Sequence, residues 1–201
     1  MIFMTRVFAA LALFLGATTV QATSPEPAAP LPGDSVYQLD ALLTDQSGHQ
    51  FKLADLRGRP ALIAMFYTSC KYVCPLIVDA MVRVERALGD AEKNDMRFVL
   101  VSFDADHDTP QTLAEIATQR HLDASRWTLT RTDAASVRKL AAVLGVQYRA
   151  TTDGGFNHSS VVSLLDQRGR IVTRSTRMNE TDAELLQSVR RVLATGAPAQ
   201  H

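Results

Sequence analysis

Residues 61–67 (ALIAMFY) form an apolar run that is short, unbroken and bounded, with Pro60 before it and polar residues after it. That is the pattern of a central strand buried on both faces. It constrains the whole chain, because such a strand needs a partner along each edge and cover above and below. The residues that follow are Thr68-Ser69-Cys70-Lys71-Tyr72-Val73-Cys74-Pro75, and they hold both cysteines of the chain. From Pro75 a helical period begins, with Leu76, Ala80, Val84 and Leu88 on one stripe and Gly89 closing it. Proline suits the first turn of a helix, where its missing N–H costs nothing. Both thiols therefore fall in a turn between a buried strand and a helix, which is where α/β folds expose sites.

The rest of the chain supplies the partners. A β-hairpin is expected over residues 36–53: Val36, Leu39 and Leu42-Leu43 lead into the turn cluster Asp45-Gln46-Ser47-Gly48, and residues 49–53 return. Residues 97–103 (RFVLVSF) predict a second buried strand and residues 127–130 a short third one. Between them, Asp104-Ala105-Asp106-His107-Asp108 reads as a polar, solvated loop. Thr109 followed by Pro110 marks the start of a helix that runs to about Arg120. Asp133 caps a helix through Leu144, closed by Gly145. Residues 149–157 (RATTDGGFN) read as a loop. Residues 161–166 and 170–174, joined by Gln167-Arg168-Gly169, form a second hairpin. Thr181-Asp182-Ala183-Glu184 has the form of a capping box for a last helix, which ends near Ala194. The order is hairpin, then β-α-β-α-β-α, then hairpin, then helix. That order predicts an α/β fold of thioredoxin-like type, with a central mixed sheet flanked by helices and an added N-terminal β-hairpin.

A chain of 201 residues suits one domain with appendages. Residues 1–22 read as a secretory leader. Arg6 is its positive region, residues 7–16 (VFAALALFLG) its apolar region, and Val20 and Ala22 the small residues of a cleavage site after Ala22. The apolar run falls short of the ~20 residues a spanning helix needs, which favours a cleaved leader over a membrane anchor. Residues 23–33 (TSPEPAAPLPG) are a flexible tether, residues 34–196 the domain, and residues 197–201 a frayed tail. Lys+Arg and Asp+Glu both number 21, so the net charge of +0 argues against nucleic acid and anionic membrane surfaces as partners. Export would place the domain in the periplasm, an oxidising compartment. Two cysteines in a domain of this size do not make a disulfide scaffold and read as a functional pair.

The chemistry open to that pair is a disulfide, a redox couple or a metal clip. Residues four apart share a helix face, and a Cα spacing of about 6 Å is within the range a disulfide tolerates. A helix N-terminus lowers a thiol pKa, so thiolate is expected near neutral pH. Paired thiolates attract soft metals, Cu(I) above all. Among the histidines, His49 falls in a hairpin turn, His121 at a helix end and His201 at the chain terminus. His107 lies in the loop after the second strand, within possible reach of the site. His158 enters a strand after a Gly-Gly pair, on the loop that faces the cysteine turn in a thioredoxin-like fold. Thioredoxin-type oxidoreductases carry a proline there, and this chain has none between residues 111 and 197. Two thiolates and an imidazole make a three-ligand set suited to Cu(I), Cu(II) or zinc. A peroxidase reading from Thr68-x-Cys70 lacks a proline-rich approach and a clear Arg partner.

Three blocks carry a resemblance. They are residues 66–75 (FYTSCKYVCP), residues 101–110 (VSFDADHDTP) and residues 156–160 (FNHSS). In this order they closely resemble the SCO/SenC family of exported, thioredoxin-like copper-binding proteins, over about residues 34–192. The resemblance implies that Cys70, Cys74 and His158 bind copper, as Cu(I), Cu(II) or both. It further implies a monomeric metallochaperone that delivers copper to, or matures, the dicopper site of a cytochrome c oxidase subunit. The other activity compatible with the pair is that of a thiol-disulfide oxidoreductase that keeps partner cysteines reduced, with Cys70 attacking and Cys74 resolving. Asn157 departs from the family, which often carries Asp before the His, and this bears on site charge. Expression with an intact export system should yield a mature chain starting at Thr23, read by intact mass. A chain that keeps its first 22 residues would disprove the cleavage site.

Overall fold

The computed structural model describes residues 30–70, 73–152 and 154–196. The expected leader (1–22), residues 23–29 of the tether, Lys71 and Tyr72 of the cysteine stretch, and the tail 197–201 lie outside the described residues.

The N-terminal hairpin consists of β1 (Leu42–Asp45) and β2 (Gln50–Lys52), antiparallel, with Leu43 opposite Phe51. The residues before it do not extend the strand. Val36–Gln38 form a 3-10 turn capped by the Ser35 hydroxyl, which accepts from the Tyr37 N–H. Strand β3 (Ala61–Phe66) is buried along its whole length. Helix α1 (Val73–Ala87) follows, then α2 (Asp90–Asn94), β4 (Arg97–Ser102), α3 (Pro110–Gln119), β5 (Trp127–Arg131) and α4 (Ala134–Leu144). Two short strands, β6 (Tyr148–Ala150) and β7 (Phe156–His158), pair with each other as a separate antiparallel hairpin. The chain then enters β8 (Val162–Leu165), β9 (Ile171–Ser175) and α5 (Ala183–Gly196).

The main sheet has the order β2-β1-β5-β4-β3-β8-β9. Its centre is parallel: β3 runs beside β4 from the pair Ala61–Arg97 to Phe66–Ser102, and β4 beside β5. The hairpins close both sides in the antiparallel sense, β1 against β5 and β8 against β3. The result is the expected α/β mixed sheet with helices around it. Parallel strands need crossover helices, and those helices cover the apolar faces that β3 and β4 present. Among the described residues, no helix is long and apolar enough to cross a membrane.

Several local expectations are corrected. Of the expected stripe Ala80, Val84 and Leu88 are buried, joined by Cys74, Ile77, Val78 and Met81, whereas Leu76 is exposed. A strict four-residue spacing drifts about 40° per step around a helix of 3.6 residues per turn, so the mixed three-and-four spacing wins the core. Helix α2 carries no buried residue and no apolar period to read. The last helix is capped by Asp182 rather than Thr181: its carboxylate accepts from the N–H groups of Glu184 and Leu185 at 3.0 and 3.2 Å. The loop expected at 149–157 is the β6–β7 hairpin. Its pairing was not legible because strands of three residues are too short to show alternation.

The 3-10 turn is latched to the far end of the chain. The Val36 N–H donates to the Gly169 carbonyl at 2.9 Å, and the Ser35 hydroxyl donates to the Arg168 carbonyl at 2.6 Å. Gly169 has φ +79, and a Cβ there would lie 2.5 Å from Tyr37 Cδ2 on a fully packed ring. Gly48 has a similar φ of +83 with open space around it. Gly169→Ala should therefore cost about 2–5 kcal/mol, from backbone strain plus overpacking, and Gly48→Ala only about 1–2 kcal/mol. Chemical denaturation of both variants checks this, and equal losses would refute the latch.

Candidate metal centre

Strand β3 ends at Phe66 and delivers Tyr67 to the rim of the sheet. The Cys70 N–H closes a turn onto the Tyr67 carbonyl at 3.4 Å. Helix α1 then starts, and the Cys74 N–H, one of the donors a helix leaves without an internal partner, donates to Cys70 Sγ at 3.3 Å. Cys74 shares the buried face of α1 with Ile77 and Met81 and is 3% exposed, while Cys70 is half-buried. The helix periodicity thus divides the two thiols into an inner and an outer one.

The third group arrives from the β6–β7 hairpin. His158 Nε2 lies 3.5 Å from Cys74 Sγ, across 84 residues of sequence. Its Nδ1 faces the Ser159 carbonyl at 3.2 Å. A carbonyl only accepts, so Nδ1 carries the proton and Nε2 presents its lone pair to the thiols. The ligand atoms of Cys70, Cys74 and His158 all lie within 4.8 Å of one another. Among the described residues they are the one such cluster of three or more Cys, His, Asp or Glu side chains. The structure therefore brings together the three side chains singled out in the sequence.

What holds the hairpin there is aromatic packing. Phe103, at the end of β4, meets Tyr67, Tyr148, Phe156 and His158 with ring centroids 5.2, 5.4, 5.1 and 4.9 Å away. Tyr67 also packs edge-on against Phe156 at 5.2 Å and His158 at 6.0 Å. Its hydroxyl accepts from the Phe156 N–H at 3.3 Å and faces the Phe156 carbonyl at 3.5 Å. Phe156 and His158 alternate with Asn157 along β7, so Asn157 points outward and is exposed. The residue that departs from the family pattern thus stands on the solvent side of the hairpin.

The expectation of a ready thiolate fails for Cys74. Burial pushes its thiol well above the ordinary cysteine range, against a smaller downward pull from a hydrogen bond with the Tyr67 main chain. Burial therefore favours the protonated thiol, and a metal binding there displaces that proton. The helix N-terminus does not overcome the loss of water.

The loop after β4 also differs from expectation. Asp104 and Asp108 are 4% and 2% exposed, so it is not simply a solvated loop. Asp108 accepts from the Thr68 N–H at 3.0 Å, from the Thr68 hydroxyl and from the Ser102 hydroxyl at 2.5 Å. Asp104 accepts from His107 Nδ1 at 2.8 Å, which raises the pKa of that exposed imidazole. His49 stacks on Phe51, and His121 adopts φ 53 beyond α3. None of these histidines joins the site, and His201 lies outside the described residues. Tyr67, Phe103, Asp108 and Phe156 all fall within the three blocks that carry the resemblance, but their supporting roles are not readable from residue type, since an aromatic or an Asp beside a strand end has the same appearance in any core or turn.

Tyr67→Phe keeps the ring and removes the hydroxyl that meets the β7 backbone. It should cost about 1 kcal/mol of global stability and speed amide exchange at residues 148–158 selectively. Uniform exchange across the domain would refute the tie.

Donors of this kind fit a thiophilic or borderline ion: two sulfurs and one imidazole suit copper or zinc, and they suit neither magnesium nor calcium. Comparison with known proteins bears on the choice. An SCO2-like protein of Rickettsia prowazekii is 28% identical over 131 residues, covering 64% of this chain and 63% of that one. The chain thus spans just under two thirds of the length of such relatives. The structure of Bradyrhizobium japonicum ScoI with copper bound superposes with a TM-score of 0.64 at 28% identity, covering 76% of this chain and 96% of that one. BsSco, a member of the Sco family of cytochrome c oxidase assembly proteins in which a disulfide switch was identified, shares the fold. Its TM-score is 0.66 at 20% identity, over 76% of this chain and 91% of that one. A family model described as SCO1/SenC matches residues 34–194. That match runs from just before the 3-10 turn to the last turns of α5 and takes in all three converging side chains, and on it the chain belongs to the SCO1/SenC family.

Proposed function

We propose that this domain binds one copper ion through Cys70 Sγ, Cys74 Sγ and His158 Nε2, and passes it to the dicopper site of a cytochrome c oxidase subunit. The observation that carries the reading is the convergence of those three atoms within 4.8 Å. Thiolate softness favours Cu(I), and imidazole together with the Irving–Williams order favours Cu(II) over zinc, so one site serves both oxidation states. The half-buried Cys70 and His158 leave the outer side of the ion open to an incoming ligand. Transfer then proceeds by ligand exchange, with the inner Cys74 the last to let go, taking back a proton as copper leaves. The oxidase as recipient is supported by family membership and by the role borne by BsSco. The domain works as a monomer in the periplasm, after removal of residues 1–22.

A second reading draws on the unequal burial of the thiols. In it Cys70, as thiolate, attacks a partner disulfide and releases one partner thiol. Cys74 then attacks Cys70 in the mixed disulfide and releases the other, leaving a Cys70–Cys74 disulfide that a further thiol reductant must reset.

Titration of the reduced domain with copper, followed by absorption and EPR, should saturate at about one ion per chain. Cys70→Ala, Cys74→Ala and His158→Ala should each weaken binding by about tenfold or more, the scale on which even outer-shell partners act. If His158→Ala binds both oxidation states like the parent, the site assignment is wrong. Turnover of a disulfide substrate without copper binding would favour the second reading.

A further inference from the structure

Asp108 is the most deeply buried carboxylate beside the site, at 2% exposure. Donors surround it. The Thr68 N–H and the Ser102 hydroxyl reach Oδ2 at 3.0 and 2.5 Å, and the Thr68 hydroxyl reaches Oδ1. Ser102 has no choice of role here, because its oxygen already accepts from the Asp104 N–H at 3.0 Å and its one hydrogen is left for Asp108. Hydrogen bonds donated to a carboxylate favour its charged form over the neutral one. Among the described residues no Lys, Arg or His forms an ion pair with it. Among the described residues its charge is thus met by hydrogen bonds and not by an ion pair, with the exposed His107 the neighbouring imidazole that feels it. Two of those bonds end on Thr68, two residues before Cys70.

The carboxylate also stands close to the thiols: Thr68, which it holds by two hydrogen bonds, lines one cavity together with Cys70 and Cys74. Consider the ion in place. Two thiolates and a neutral imidazole leave the site neutral with Cu(II) and one unit negative with Cu(I). A buried negative charge next to it raises the energy of the Cu(I) state relative to Cu(II). Net charge and hydrogen bonding around a metal are what set its reduction potential.

We propose that Asp108 is a positioning and tuning residue: it pins the Thr68 end of the cysteine loop and, by its fixed negative charge, biases the site toward Cu(II). This rests on the copper reading above. It assigns to the family of donors around Asp108 a purpose beyond holding a turn, since Thr68 and Ser102 stabilise a carboxylate where a neutral side chain would anchor the loop as well.

The test separates position from charge. Asp108→Asn keeps size and removes the charge: its amide oxygen can accept from the Thr68 N–H and the Ser102 hydroxyl, and its NH2 meets the Thr68 hydroxyl, which can turn to accept. Copper(I) and copper(II) affinities are measured separately on reduced parent and variant by competition with chelators selective for each ion. Removing the charge should raise the Cu(I)-to-Cu(II) affinity ratio by about tenfold or more, the scale of one charge about 10 Å away at an effective dielectric of about 20. The reduction potential should rise with it. A purely structural role would weaken both oxidation states together and leave the ratio in place, so a ratio within twofold of the parent overturns the proposal. Asp108→Ser makes the same charge removal in a smaller side chain, for use if the Asn variant does not fold. Should the parent bind neither ion, the copper reading falls and takes this proposal with it. A parent that binds both, with an unmoved ratio in the variant, sinks the tuning role alone.

Discussion

Strand β3 is held along one edge by β4 and along the other by β8, and no residue from Ala61 to Phe66 reaches solvent. A strand buried on both faces cannot slip by one residue without exchanging every side chain between two packed layers. Its end is therefore a fixed point, from which the site is laid out. Tyr67 continues the strand line, Thr68 is tied to Asp108, and Cys70 and Cys74 take their places at the start of α1. The parallel neighbour β4 ends level with it at Ser102, so Phe103 and the Asp104–Asp108 loop arrive at the same rim. Residues from separate parts of the chain meet because two parallel strands stop in register.

The imidazole is brought in by a different force. Hairpin β6–β7 makes no ladder with the main sheet. It adheres through rings: Phe103 at the centre, with Tyr67, Tyr148, Phe156 and His158 around it. Packing of this kind sets distance and tilt. A hairpin held by side chains rather than by a ladder can also yield more easily than the sheet. Cys74 has the opposite character, seated among the buried residues of α1. The three donors thus range from the buried Cys74 to the half-buried Cys70 and His158.

Much of this was legible from the residues. The run at 61–67 identified β3, Thr109-Pro110 and Asp133 marked helix starts, and Gly145 marked an end. Each rests on local chemistry: a cap, a missing N–H, a positive φ. Misreadings arose where the outcome is non-local. The stripe chosen for α1 placed Leu76 inside, because four-residue spacing and true helical phase agree only over a turn or so. The Asp104–Asp108 loop looked solvated because acidic residues are usually exposed, and the Thr68 and Ser102 donors that bury Asp108 come from other elements. The Cys74 thiol looked activated because the helix N-terminus is visible in sequence and burial is not.

The sequence by itself determined the fold class, the strand–turn–helix setting of Cys70 and Cys74, and the identity of His158 as the third donor by resemblance. These follow from periodicity, capping chemistry and motif order, all of which act over a few residues. Only the tertiary structure decided that Nε2 is the nitrogen presented, that Cys74 is the inner thiol, whose burial favours its protonated form, and that a buried carboxylate stands behind the loop. Each of these depends on which groups exclude water from which others, and that is a property of the packed chain and of no segment within it.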